Sequence, residues 1–189
     1  MSNDSPATPP VALLILDMQD GFLKAIPDAP ALINRVKLSA AAARLFNLPI
    51  LITEQSPEKL GPTHAPLLEL TGDDVRIFPK TTFSAYGAEG FPDYLEKHGI
   101  EHLLITGIET PICVYQTALA ASDHGQAVTL LSDCLGARRA EDARAALAAL
   151  SGAGCHLLPS ETVFYSLLGD ATAPTFRPFT QLVKNHYQP

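Results

Sequence analysis

The stretch Val11-Ala-Leu-Leu-Ile-Leu16, closed by Asp17, decides the fold. An unbroken apolar run of this length, without alternation, reads as a strand buried on both faces, and such strands belong to parallel sheets covered by helices. Working outward, Leu32, Ile33, Val36, Ala40 and Ala43 recur at helical spacing. Pro49-Ile-Leu-Ile-Thr53 reads as a second strand and residues 75–78 as a third. A helix is predicted over 91–98, stopped by Gly99. Glu101-His-Leu-Leu-Ile-Thr106 is a fourth strand, followed by Gly107 and a helix over about 111–122. Ala127-Val-Thr-Leu-Leu131 is a fifth, 140–150 an alanine-rich helix and 154–158 a sixth strand, with two short helical segments after it. Strands alternating with helices imply right-handed crossovers. The expectation is one α/β domain over 11–185: a six-stranded parallel sheet, doubly wound in three layers.

Composition narrows the function. The chain has 189 residues, 47% of them hydrophobic, enough for a core without disulfide or metal staples. Its 13 Lys+Arg against 20 Asp+Glu leave a net charge of -7, spread along the chain, which excludes attraction to a phosphate backbone. No apolar run approaches the roughly 20 residues of a membrane span. Residues 1–10 lack a basic and then apolar leader pattern and read as a disordered lead. Cys113, Cys134 and Cys155 are odd in number and form no CxxC pair, so no disulfide framework is expected and the setting reads as cytoplasmic.

In a doubly wound sheet, ligands bind beyond the carboxyl ends of the strands. Asp17 follows strand one, Lys80 lies two residues past strand three, and Cys113 falls in the first helical turn after strand four. Each alone has an ordinary explanation as a turn residue, a solvated charge or a small buried side chain. Together they suggest cysteine chemistry. A helix N-terminus and a nearby ammonium lower a thiol pKa from about 8.5 into roughly 3.5–7.5. Asp17 would take the thiol proton, pass it to a leaving amine and then activate water.

At these residues the sequence resembles the isochorismatase-like cysteine hydrolases, and more narrowly the isochorismatase domain-containing branch. The resemblance is carried by Leu16-Asp-Met-Gln-Asp-Gly-Phe22, Thr53-Glu-Gln-Ser-Pro-Glu-Lys-Leu-Gly-Pro62, Lys80-Thr-Thr-Phe-Ser-Ala-Tyr86 and Thr106-Gly-Ile-Glu-Thr-Pro-Ile-Cys-Val-Tyr-Gln-Thr-Ala-Leu119, with Ser132-Asp-Cys134 and Arg138. It spans about 11–185 and implies a Rossmann-like fold. It further implies a catalytic triad of Asp17, Lys80 and Cys113, a cis peptide between Ile108 and Glu109, an oxyanion hole from the amides of Glu109 and Cys113, and homo-oligomers joined after strand four or through the C-terminal helices. The branch usually carries His where Pro111 stands, which removes a polar group near the pocket mouth. Similar nicotinamidases hold a divalent ion with an Asp-x-His set and a later His. Here Thr53-Glu54-Gln55-Ser56 with only His64 beyond is too poor a donor set, so neither metal nor other cofactor is expected. The reading also takes the sequence, ending at residue 189, to lack the carrier domain of some isochorismatases. Those enzymes cleave a vinyl ether without needing a thiol, whereas Cys113 points to acyl chemistry on a small-molecule amide.

Phe22, Phe83, Tyr86 and Ile112 are candidate walls for a small apolar or planar substrate, with core packing as the alternative for the aromatic three. Gln19 either orients a catalytic group or pairs with backbone. Thr110 reads as a helix cap and Thr117 as a packing residue. Cys134 is a conceivable second thiol. Arg138 and Arg139 either contact an anion or begin a surface helix, and Glu109 would repel anions from the nucleophile. Two other functions stay open: a binding protein that has kept the scaffold while its chemistry drifted, and vinyl-ether hydrolysis.

Overall fold

A computed structural model of the chain describes residues 10–72 and 75–187; the lead read over 1–10 lies almost wholly outside them. The strands are β1 (Val11–Leu16), β2 (Ile50–Gln55), β3 (Arg76–Lys80), β4 (His102–Ile108), β5 (Ala127–Gly136) and β6 (His156–Leu158). All pair in parallel, in the order β3-β2-β1-β4-β5-β6. The helices are α1 (Asp20–Leu23), α2 (Ala29–Leu45), α3 (Pro57–Leu60), α4 (Ala65–Thr71), α5 (Phe91–Lys97), α6 (Tyr115–Asp123), α7 (Ala140–Gly152), α8 (Ser160–Leu168) and α9 (Phe176–His186). The expected three-layer α/β domain is observed.

The apolar run of β1 feeds two cores. Leu13 and Ile15 pack with Ile52, Val36, Phe164 and Phe179 on the face covered by α2, α8 and α9. Ala12, Leu14 and Leu16 pack with Leu51, Phe91 and Leu150 on the opposite face, under α5, α6 and α7. Successive strand side chains point to opposite faces, so a strand covered on both sides must be apolar throughout.

Most strands end later than the apolar runs suggested. β2 runs on through Glu54 and Gln55, and β3 ends at Lys80 rather than two residues before it. These added residues are polar yet buried, because they face the functional end of the sheet. Pro79 is tolerated inside β3 because this is an edge strand, with one side free of a ladder.

Chain order reverses between β1 and β4, and Gly107 makes that junction possible. It pairs with Leu16 at φ 127, and a Cβ there would stand 2.2 Å from the Leu16 carbonyl oxygen. Gly107→Ala is therefore expected to destabilise the fold by about 3 kcal/mol or more, from the clash and the positive φ together. The urea unfolding midpoint measures this; a midpoint unchanged from the parent would contradict it.

Candidate active site

Asp17 leaves β1 at φ 55, a left-handed conformation that Asp tolerates better than most residues. Its amide donates to Thr53 O at 3.1 Å, which pins the turn to β2. Both carboxylate oxygens are engaged: Thr53 Oγ1 donates to Oδ1 at 2.7 Å and Lys80 Nζ to Oδ2 at 2.8 Å. Lys80 also donates to Gln55 Oε1 at 2.7 Å and Thr82 O at 3.2 Å. Its fourth neighbour is Cys113 Sγ at 3.9 Å. An ammonium has three hydrogens, and three oxygens lie closer than the sulfur, so Lys80 acts on the thiol mainly through charge. Asp17, Lys80 and Cys113 are all buried. The structure thus brings together the three residues picked out at the strand ends.

The sequence reading did not single out Thr53 and Gln55 as site residues. Both sit at the carboxyl end of β2, between the strands carrying Asp17 and Lys80, so the strand-end rule applied to every strand would have found them. Gln19 pairs with backbone, as one of its two readings held. Its Oε1 accepts from Gln55 N at 2.8 Å, and its Nε2 donates to Gln55 O at 3.1 Å and Gly61 O at 2.6 Å. Gln55 Nε2 donates to Thr81 O at 2.9 Å, which leaves its Oε1 turned to Lys80.

Cys113 lies in a wide π-type turn, Thr110–Val114, that runs into α6. The cis peptide implied between Ile108 and Glu109 is not observed; no peptide among the described residues is cis. The chain reverses instead through Gly107 at φ 127 and Glu109 at φ 56. Ile112 N donates to Glu109 O at 2.8 Å, and the amide of Glu109 meets no backbone acceptor among the described residues. Thr110 does not cap the turn. Its hydroxyl donates to Gly136 O at 2.9 Å and ties the turn to β5. Thr117 Oγ1 accepts from Ala85 N at 3.0 Å and holds the segment after β3 against α6.

The expected lowering of the thiol pKa is reversed. Burial pushes Cys113 up to about 12, the Asp17 carboxylate adds to the rise, and Lys80 opposes both without overcoming them. Loss of hydration disfavours the thiolate, and the ammonium that would stabilise it is already shared among oxygens. Cys134, the other thiol considered, is fully buried against Ser39 Oγ at 3.2 Å, and burial pushes its pKa up too.

The proposed walls separate. Ile112 lines a cavity of about 560 Å³ with Glu109, Pro111, Arg138, Arg139 and Asp142. Phe22 packs against the core on the α2 face, Phe83 is 53% exposed, and Tyr86 is turned away, with its hydroxyl donating to Gln126 at 2.7 Å and its ring on Phe91. Where similar nicotinamidases hold their ion, Glu54 accepts from Thr63 N and Oγ1 at 2.7 and 2.8 Å, and His64 Nδ1 stands 2.7 Å from Asp20 Oδ1. Among the described residues no three His, Cys, Asp or Glu gather closely enough to hold an ion.

The strand order defines a doubly wound α/β domain, with the buried carboxylate, ammonium and thiol near its switch point. The chain belongs to the isochorismatase family: the family model described as Isochorismatase domain matches residues 11–162. Isochorismatase domain-containing protein 2 of Xenopus laevis is 33% identical over 171 residues, covering 90% of this chain and 82% of that one. Among solved structures, the MAR1 ribonuclease from Caenorhabditis elegans is 30% identical at TM-score 0.88, over 95% of this chain and 91% of that one. The YcaC gene product of Escherichia coli, described as an octameric hydrolase of unknown specificity, is 26% identical at TM-score 0.87, over 93% and 87%.

A thiol held above its ordinary pKa is mostly protonated at neutral pH. Cys113 in the folded chain is therefore expected to react with iodoacetamide more slowly at neutral pH than in denatured protein, and its rate to keep rising past about pH 8.5, where a free thiol is half ionised. Peptide mass spectrometry across pH reads this directly. A folded-state midpoint below neutral would contradict it.

Proposed function

We propose that the protein is a metal-independent cysteine hydrolase of a small amide or related C–N bond, working through an acyl thioester on Cys113. The observation that carries this reading is the buried cluster in which Lys80 Nζ lies 2.8 Å from Asp17 Oδ2 and 3.9 Å from Cys113 Sγ. Asp17 accepts the thiol proton as sulfur attacks the carbonyl carbon. The negative charge moves to the carbonyl oxygen, where the amides of Glu109 and Cys113 hold it. Collapse of this adduct breaks the C–N bond, and Asp17 returns the proton to the leaving nitrogen. Asp17 then deprotonates a water that attacks the thioester, releasing the acid and restoring the thiol. Lys80 stays charged throughout and stabilises whichever anion is present.

The high thiol pKa fits this sequence, because proton removal by Asp17 then accompanies attack. The same observation favours a second reading, vinyl-ether cleavage led by Asp17 with the thiol as a bystander. The Caenorhabditis elegans relative is named a ribonuclease. For this chain, a net charge of -7 weighs against a polyanionic substrate.

In a screen of small amides, Cys113→Ala is expected to lower turnover by at least about 10⁴-fold with an unchanged circular dichroism spectrum. The parent enzyme should give a covalent acyl adduct on the Cys113 peptide, and Asp17→Asn should slow its formation and its hydrolysis. Full turnover in Cys113→Ala would sink the nucleophilic reading and favour the second one.

We extend homo-oligomerisation to this chain as well, supported by exposed Leu157, Leu158, Tyr165 and Leu167 on β6 and α8. Light scattering should give a multiple of 20.2 kDa; a monomer at all concentrations would contradict it.

A further inference from the structure

Glu109 has no part in the proton transfers proposed above, yet it is a carboxylate placed at the head of the turn that carries Cys113. Its side chain is only 7% exposed. Arg138, in the segment after β5, covers it: Nε donates to Oε1 at 2.7 Å and Nη2 reaches Oε2 at 3.5 Å. The second pair at this cavity, Arg139 Nε to Asp142 Oδ2 at 3.3 Å, is exposed on both sides and therefore largely screened. Glu109 is different, because a buried carboxylate is poorly screened by water and opposes negative charge growing on sulfur or on a carbonyl oxygen.

We infer that Arg138 is a positioning residue acting through Glu109, and that the pair makes Cys113, in the turn Glu109 heads, select uncharged carbonyl substrates over anionic ones. The inference rests on Cys113 being the reacting atom. A carboxylate-bearing molecule approaching the thiol meets the buried carboxylate of Glu109, and Arg138, 59% exposed, offsets that repulsion only while it stays on Glu109; released, it turns to solvent. A neutral amide meets no such repulsion.

Two alkylating reagents of similar size and opposite character test this. Iodoacetamide is neutral and iodoacetate anionic; with each, sulfur forms a C–S bond as the C–I bond breaks, iodide leaves and the thiol proton is lost. Because both report the same thiolate, the ratio of their rates at Cys113, measured at one alkaline pH and normalised to denatured protein, cancels the thiol's own ionisation. The folded parent should favour iodoacetamide more than denatured protein does. Arg138→Ala should widen that preference about threefold or more, and Glu109→Gln should narrow it by a similar factor. In Glu109→Gln, adding Arg138→Ala should change nothing further.

A ratio equal to that of denatured protein overturns the inference. So does an Arg138→Ala effect that persists in Glu109→Gln, since Arg138 would then address the anion itself. A Cys113 that reacts with neither reagent in any variant also overturns it, because no small molecule would reach the guarded thiol. Failure of the hydrolase reading is separable: it appears as amide turnover surviving Cys113→Ala, a result independent of the rate ratios.

Discussion

The rest of the site depends on a lysine ammonium buried where three strands end. The side chains of Lys80 and Asp17 are almost wholly out of water, so each needs the other. Removing one partner from such a pair costs about 3–5 kcal/mol, because the survivor stays buried and unmatched. The surroundings are built to avoid that cost. Thr53 takes the second oxygen of Asp17, and Gln55 and Thr82 O take the remaining hydrogens of Lys80. Gln55 is in turn fixed by Gln19 and Thr81 O. A neutral amide in this place accepts from the ammonium without competing for its charge. A carboxylate there would leave Lys80 balanced between two anions.

The backbone is arranged to the same end. Asp17, Ser56 and Glu109 follow β1, β2 and β4, and each has a positive φ. Three non-glycine residues in that region at one edge of one sheet are a concentration of strain that local propensity would not choose. Packing holds them there. Asp17 N is bonded to Thr53 O, Ser56 N to Lys80 O, and the turn after Glu109 is tied to β5 through Thr110. Each sharp turn ends a strand quickly and keeps the polar side chains of neighbouring strands within reach of one another.

Legibility in the sequence followed the same division. The sheet could be read because its strands are buried on both faces and leave unbroken apolar runs, of which 11–16 is the clearest. The meeting of Asp17, Lys80 and Cys113 could be read because the architecture says where strand ends converge. The strand ends were misjudged at Glu54, Gln55 and Lys80 because hydrophobicity falls off there while hydrogen-bonded pairing continues. Gln55 stayed hidden for a related reason: a polar residue after an apolar run looks like a loop. Tyr86 was placed by its nearness to Lys80 in sequence, but it sits in the tight turn Ala85–Gly87 with its hydroxyl on Gln126. The lowered thiol pKa was argued from the charges a sequence displays, whereas burial, which it does not display, carries the larger effect.

That reversal bears on how such a site works. A thiol ionised at rest would have to draw on Lys80, which would loosen Asp17 from its only cation among the described contacts. Keeping Cys113 protonated leaves the Lys80–Asp17 pair intact, and in the hydrolase proposed above it would stay so until a carbonyl carbon is in place. On the reading proposed above, further negative charge beside the thiol would disturb that pair, and the guanidinium of Arg138 on the carboxylate of Glu109 would offset it.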